Sequence, residues 1–149
     1  MHRILFVCLG NICRSPMAEM ILKDMVRQRG LDGEFEIASC ATSTEEIGNP
    51  VYPPASAELA RRGVKCEHRA ARQLTKADYE KYDLLIGMDE NNIRNMKRML
   101  GGDPQGKIRK MMEFAGSCAD VADPWYTGSF DVTYRDIVKG CEGLLKALL

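Results

Sequence analysis

An α/β fold, a three-layer sandwich with a central four-stranded parallel sheet flanked by helices, is predicted by three features of this sequence. Short apolar runs alternate with amphipathic stretches of helical period along the chain, the pattern of repeated βαβ units. Leu84, Leu85 and Ile86 form a continuous apolar run, which suits a strand covered on both faces. The first twenty residues pass from an apolar strand through a short polar loop into a helix. In open α/β sheets, ligands bind at such junctions beyond the carboxyl ends of the strands.

Ile4–Val7 is the first strand. The loop after it begins at Cys8 and holds Gly10 and Asn11, residue types that tolerate positive φ. Ser15-Pro16 then opens a helix, with Ser as N-cap and Pro at the first helical position. Met17, Met20, Ile21 and Met25 recur at helical spacing as core filling, and Gly30 stops the helix. Phe35–Cys40 reads as the second strand, and Ala41–Pro53, rich in Thr, Ser, Gly and Pro, as a loop. Pro54 starts a helix through Leu59 that Gly63 ends. Val64–Cys66 can form a short strand before the polar stretch Glu67–Gln73. Thr75-Lys-Ala-Asp78 has the form of a capping box for one short helix. Tyr82–Met88 is the buried strand, and Asp89 caps a helix whose inner face is Ile93, Met96 and Leu100, ended by Gly101-Gly102. Ile108–Phe114 is read as a strand and Gly116–Ser129 as a loop. Tyr134, Ile137, Val138, Cys141, Leu144, Leu145 and Leu148 form the unbroken stripe of a last helix. No repeat or linker interrupts this series, so one domain over residues 1–149 is expected.

The 149 residues include 45% hydrophobic and 28% charged side chains, the balance of a globular chain able to bury a full core. Twenty-one basic residues balance 21 acidic ones, which argues against nucleic acid or an anionic membrane as a partner. The N-terminal apolar run is too short for a signal peptide, so a cytoplasmic, reducing location is expected. In that setting Cys40, Cys66, Cys118 and Cys141 read as buried or incidental thiols rather than a disulfide framework. The two histidines, His2 and His68, and the Cys spacings do not make a zinc set, and no cofactor is expected.

The chemistry lies in the first loop. Strand, loop and helix N-terminus make an anion site, where the amides of Leu9, Gly10, Asn11, Ile12, Cys13, Arg14 and Ser15 can turn inward and the helix dipole adds positive charge. Within it stand Cys8 and Arg14, five residues apart. The site stabilises a thiolate, and the planar Arg14 fork suits two oxygens of a phosphate. A thiolate under an oxyanion-stabilising loop suits phosphoryl transfer through a covalent intermediate. Asp123-Pro-Trp-Tyr126, read by itself, is a surface turn.

Val-Cys-Leu-Gly-Asn-Ile-Cys-Arg-Ser-Pro, residues 7–16, resembles the signature loop of the low-molecular-weight protein tyrosine phosphatases, and the resemblance runs on to the last helix. It implies hydrolysis of phosphotyrosine and other aryl phosphates, with phosphotyrosine proteins or small aryl phosphates as substrates. In that reading Cys8 is the nucleophile and Arg14 with the loop amides holds the phosphate. Asp123 becomes the proton donor, with Trp125 and Tyr126 walling a slot for a phenyl ring. Ser15 would hydrogen-bond the Cys8 sulfur, and Asn11 would hold the loop through a polar network. Ser39 and His68 match family positions in that network, His68 imperfectly, because this chain has a longer gap before Arg72-Gln73. Asp89 matches an acidic position near the loop. Cys13 would pair reversibly with Cys8 under oxidation.

One departure bears on substrate choice. Glu45 occupies a place where eukaryotic members usually carry an aromatic pocket wall, and a carboxylate there would repel acidic peptides. Two alternatives share the fold. A thiol-dependent arsenate reductase would need further cysteines as a relay, and Cys66 and Cys118 are not a close pair in sequence. A non-catalytic phosphate-binding module would not need both the thiol and the acid, and this chain retains both.

Overall fold

The computed structural model describes residues 1–149. β1 (His2–Cys8), β2 (Phe35–Ala41), β3 (Leu84–Gly87) and β4 (Ile108–Lys110) form one sheet in the order β2-β1-β3-β4. Every neighbouring pair is parallel. The helices are α1 (Arg14–Gln28), α2 (Pro53–Arg61), α3 (Lys76–Lys81), α4 (Glu90–Leu100), α5 (Pro124–Thr127) and α6 (Phe130–Leu148).

The alternation of side chains along β1 divides the core in two. Ile4 and Phe6 face one layer with Ile37 and Ile86, packed under Met17, Met20 and Ile21 of α1, Leu59 of α2 and Ile137, Cys141, Leu144 and Leu145 of α6. Leu5 and Val7 face the other layer with Cys40, Leu85 and Ile108, under Tyr79 of α3 and Met96 of α4. Phe6 and Leu5 are both fully buried, and such burial stabilises the fold by about 2 kcal/mol for each side chain. Because β1 has a strand on each side, its carboxyl end at Cys8 sits at the middle of the sheet.

Three sequence expectations change. Val64–Cys66 pairs with no strand; the Val64 amide donates to Leu59 O at 2.9 Å, closing the end of α2, while the edge of β2 is met only by an isolated bridge from Gln73 to Ala41. The last strand stops at Lys110, and Met111–Ala115 winds into a 3₁₀ turn whose start is fixed by Glu113 accepting from the Lys110 amide at 3.0 Å. The stretch read as loop from Gly116 contains α5, opened by Asp123 and Pro124 and closed by Gly128 at φ 74°. Asp89 caps α4 as expected, with its Oδ1 accepting from the Asn92 amide at 2.7 Å.

The 3₁₀ turn lies hard against α6. A Cβ added at Gly140 would stand 2.5 Å from Met111 Cε, and one at Gly143 would stand 1.8 Å from the Phe114 carbonyl oxygen. These two glycines let helix and turn touch backbone to backbone.

Candidate active site

Cys8 ends β1, and α1 begins at Arg14, so residues 9–13 must reverse the chain in a very short span. Asn11 makes this possible with φ 58°, the only non-glycine residue at positive φ. That conformation costs an L-residue about 1–2 kcal/mol, and a saturated set of hydrogen bonds offsets it. Asn11 Nδ2 donates to Ser15 Oγ (2.7 Å) and Ser39 Oγ (2.9 Å), while Asn11 Oδ1 accepts from the Arg72 amide (3.3 Å) and from Arg69 Nη2. Arg69 Nη1 also reaches Asn11 O at 3.0 Å. Gly10 keeps an ordinary φ, so of the two residues expected to bend the loop only Asn11 does so.

Ser15 is not the N-cap of α1. Cys13 holds that position without a side-chain cap, and Ser15 lies inside the first turn. The acceptor at the helix start is the sulfur itself: Ser15 N donates to Cys8 Sγ at 3.4 Å and Asn11 N at 3.3 Å. Ser15 Oγ lies 3.0 Å from the same atom. Its hydrogen is directed there by a chain of one-way bonds. The Glu19 carboxylate can only accept, and it takes the Ser39 hydroxyl proton at 2.6 Å. Ser39 therefore accepts from Asn11, Asn11 also donates to Ser15, and Ser15 is left to donate to Cys8 at 3.0 Å or to Cys40 O at 3.4 Å. Three donors thus converge on one sulfur, an arrangement suited to negative charge on it.

Arg14 is buried, and its orientation is fixed by acceptors from far along the chain. Nη1 donates to Asp89 Oδ2 and to Val121 O, each at 2.8 Å, and Nη2 lies 3.5 Å from Asp123 Oδ2. Burial works against its charge, but the Cys8 sulfur, Asp89 and Asp123 outweigh it and raise the guanidinium above its ordinary value. Asp89 therefore serves both readings open in the sequence, one oxygen on the helix and one on Arg14. Asp123 divides likewise: Oδ1 accepts from the Trp125 amide at 3.0 Å, and Oδ2 faces Arg14. Cys13 is also buried, and burial together with the charges at Cys8 and Asp123 pushes its thiol up to about 12.

A cavity of about 140 Å³ opens over Cys8, Cys13 and Arg14. Its walls are Leu9, Gly10, Ile12, Glu45, Glu46, Asp123, Trp125 and Tyr126. Trp125 leans on Tyr52 with ring centres 4.7 Å apart, and Tyr52 in turn on Phe130 at 6.1 Å. Tyr126 is 78% exposed. The slot thus has one braced aromatic wall and one free one.

A family model described as low molecular weight phosphotyrosine protein phosphatase matches residues 3–149. The chain belongs to this family. The low molecular weight protein-tyrosine-phosphatase YfkJ of Bacillus subtilis is 38% identical over 150 residues, covering 99% of this chain and 96% of the relative. The crystal structure of YfkJ superposes with a TM-score of 0.95 over 99% of this chain and 94% of that one. The human low molecular weight phosphotyrosine protein phosphatase is 35% identical, covering 96% of this chain and 93% of the relative. The family's four-stranded parallel sheet is the one described above.

Against these low molecular weight phosphatases, the residues singled out in the sequence sort cleanly in space. Cys8, Arg14, Asp123, the loop amides, Ser15, Ser39, Asp89, Glu45, Trp125 and Tyr126 all meet at the carboxyl end of β1 and β2 or the cavity above it. His68 does not. It is exposed and makes no hydrogen bond to Asn11; Arg69, one residue on, takes that place. Glu19 and Arg69 were not foreseen. The signal for Glu19 was present: a carboxylate four residues after Ser15, on the inward face of α1 among methionines, must have a partner to be buried.

Proposed function

We propose that this phosphatase hydrolyses phosphotyrosine and aryl phosphate monoesters with Cys8 as nucleophile, Arg14 as phosphate clamp and Asp123 as acid and base. The reading rests on one observation: three hydrogen-bond donors converge on Cys8 Sγ beside an arginine oriented by Asp89. The Cys8 thiolate attacks phosphorus, the bond from phosphorus to the aryl oxygen breaks, and the Asp123 proton passes to that oxygen. The Asp123 carboxylate then takes a proton from water. The water oxygen bonds to phosphorus while the sulfur–phosphorus bond breaks, and the Ser15 and Asn11 donors receive the thiolate. Arg14 Nε has no protein acceptor, which leaves Nε and Nη2 as the pair for two phosphate oxygens. The working compartment is the reducing cytoplasm, where Cys8 is kept out of disulfides. The direct test is a pre-steady-state burst of p-nitrophenol from p-nitrophenyl phosphate, with phosphate recovered on the Cys8 peptide. Turnover without a burst and without that adduct rejects the covalent route. An arsenate reductase relay finds no support in the site, because neither Cys66 nor Cys118 lines the Cys8 cavity.

Cys13 gives the site a defence against peroxide. Oxidation of the Cys8 thiolate by hydrogen peroxide yields a sulfenic acid, and condensation with the Cys13 thiol releases water and forms a disulfide. Cys13 stays a thiol at neutral pH, so it does not compete with Cys8 as the nucleophile. Mass spectrometry after mild peroxide should find the Cys8–Cys13 bond; a sulfinic Cys8 beside a free Cys13 sinks the idea.

Glu45 and Glu46 both line the cavity and add two carboxylates to its walls. Acidic phosphotyrosine peptides are therefore poorer substrates than small aryl phosphates. Glu45→Trp should raise kcat/KM for an acidic peptide about two- to fivefold relative to p-nitrophenyl phosphate, the factor given by ~0.5–1 kcal/mol of exposed charge interaction. An unchanged ratio removes Glu45 as a selectivity residue.

A further inference from the structure

The segment that carries Asp123 has no strand or helix of its own between the 3₁₀ turn and α5, so its placement depends on a few tethers. The Val121 amide donates to Met88 O at 2.9 Å, and Thr133 Oγ1 donates to Ala122 O at 3.1 Å. Arg14 Nη1 holds Val121 O at 2.8 Å, and a further tether, nearer the start of the segment, is a lysine. Lys110 is the last residue of β4, on the same face as Ile108, and its side chain is only 7% exposed. Its Nζ donates to Cys118 O at 2.7 Å, to Asp120 Oδ1 at 3.0 Å and to Glu90 Oε1 at 3.0 Å. Asp120 Oδ1 also accepts from the Glu90 amide at 3.2 Å. All three ammonium protons are used, and the two carboxylates are half-exposed, so the cluster lies just under the surface.

An ordinary lysine at a strand end extends into water. This one ties three pieces of chain into one knot: the end of β4, the start of α4 next to Asp89, and the strap that leads to Asp123. Without its charge, Glu90 and Asp120 would face each other unneutralised, and Cys118 O would lose its donor. The like charges would push the strap away from α4. Asp123 lies three residues beyond Asp120, so a shift of the strap moves its carboxyl relative to the leaving oxygen.

We propose that Lys110 is a positioning residue for proton transfer, acting through the strap that holds Asp123. The inference rests on the role of Asp123 given above. A proton at the leaving oxygen matters greatly for phenolate and little for p-nitrophenolate, which departs readily as the anion. Loss of Lys110 therefore acts on one substrate more than the other, whereas a disturbance of Arg14 or Cys8 would lower both alike.

The experiment measures kcat/KM for phenyl phosphate and p-nitrophenyl phosphate in the full chain, in Asp123→Asn, Lys110→Met and Lys110→Arg. Lys110→Met should lower the phenyl-to-nitrophenyl ratio on the order of tenfold, since a displacement near 1 Å can cost about a hundredfold in a positioned step. Lys110→Arg, which keeps charge and donors, should recover most of it. Equal losses on the two substrates, or an unchanged ratio in folded Lys110→Met, overturn the inference. Should Lys110→Met fail to fold, Asp120→Ala cuts the knot on its exposed side, and the same ratio decides. Asp123→Asn separates the two claims: a ratio unmoved there removes the proton-donor role and the lysine's role with it. A ratio moved there and unmoved in the lysine and Asp120 variants removes only the latter.

Discussion

Cys8→Ser should retain the fold and lose turnover by about 10⁴- to 10⁶-fold, the scale on which removal of a covalent nucleophile acts. The two side chains are nearly the same size, and the residue ends a strand buried on both sides, so packing changes little. What changes is the nucleophile. The donors from Ser15 and Asn11 converge on the sulfur, and a serine hydroxyl in its place is a far weaker nucleophile than a cysteine. The p-nitrophenol burst disappears along with steady-state turnover, while phosphate or vanadate should still bind through Arg14 and the loop amides. A burst that survives Cys8→Ser would transfer the nucleophile's role to another residue. Far-UV circular dichroism and a melting curve guard against mistaking unfolding for chemistry.

The largest effect on stability is expected at Gly143→Ala. The new methyl group would lie 1.8 Å from the Phe114 carbonyl oxygen and 2.6 Å from its carbon, both backbone atoms with no rotamer to escape into. Either α6 or the 3₁₀ turn must retreat. Overpacking of side chains costs about 1–3 kcal/mol, and a backbone collision belongs at or above the top of that range. A cost of about 3 kcal/mol corresponds to a fall in Tm of roughly 6–12 °C for a chain of this size. An unchanged Tm would show that α6 and the turn are less closely joined than described. Gly143 has no left-handed φ and no catalytic neighbour, so the effect is one of space alone.

The sheet and the first loop were legible because their determinants are local. Ile4–Val7 and Leu84–Ile86 have the apolar continuity of strands covered on both faces, and β1 and β3 are covered on both faces. Cys8 and Arg14 were legible from the loop itself, but Asp123 only through resemblance, since nothing in the spacing of residues 8 and 123 brings them together. The misplaced features depend on distant partners. Ser15 looks like a cap because serine usually is one, but the sulfur of Cys8 already supplies the acceptor at the helix start. Ile108–Phe114 has the composition of a strand, yet the chain turns aside after Lys110, where Gly140 makes room for Met111 and Gly143 for the Phe114 backbone. His68 entered through the resemblance, and on this irregular segment it is the next residue, Arg69, that reaches Asn11. Nothing local in the sequence marks Lys110, because its partners Glu90 and Asp120 come from other parts of the chain.

The crossing of β1 through the middle of the sheet also sets an order of events during synthesis. β1 emerges from the ribosome first, and its partner β2 follows within a few dozen residues, but its other neighbour, β3, begins only at Leu84. Contacts so distant in sequence form late, because the chain between them must be closed before they contribute. Asp89, Val121 and Asp123, which orient Arg14, arrive later still. A nascent chain shorter than this carries the Cys8 thiol without its clamp and with one edge of β1 open. The set of contacts around Arg14 is therefore complete only once the chain has reached Asp123.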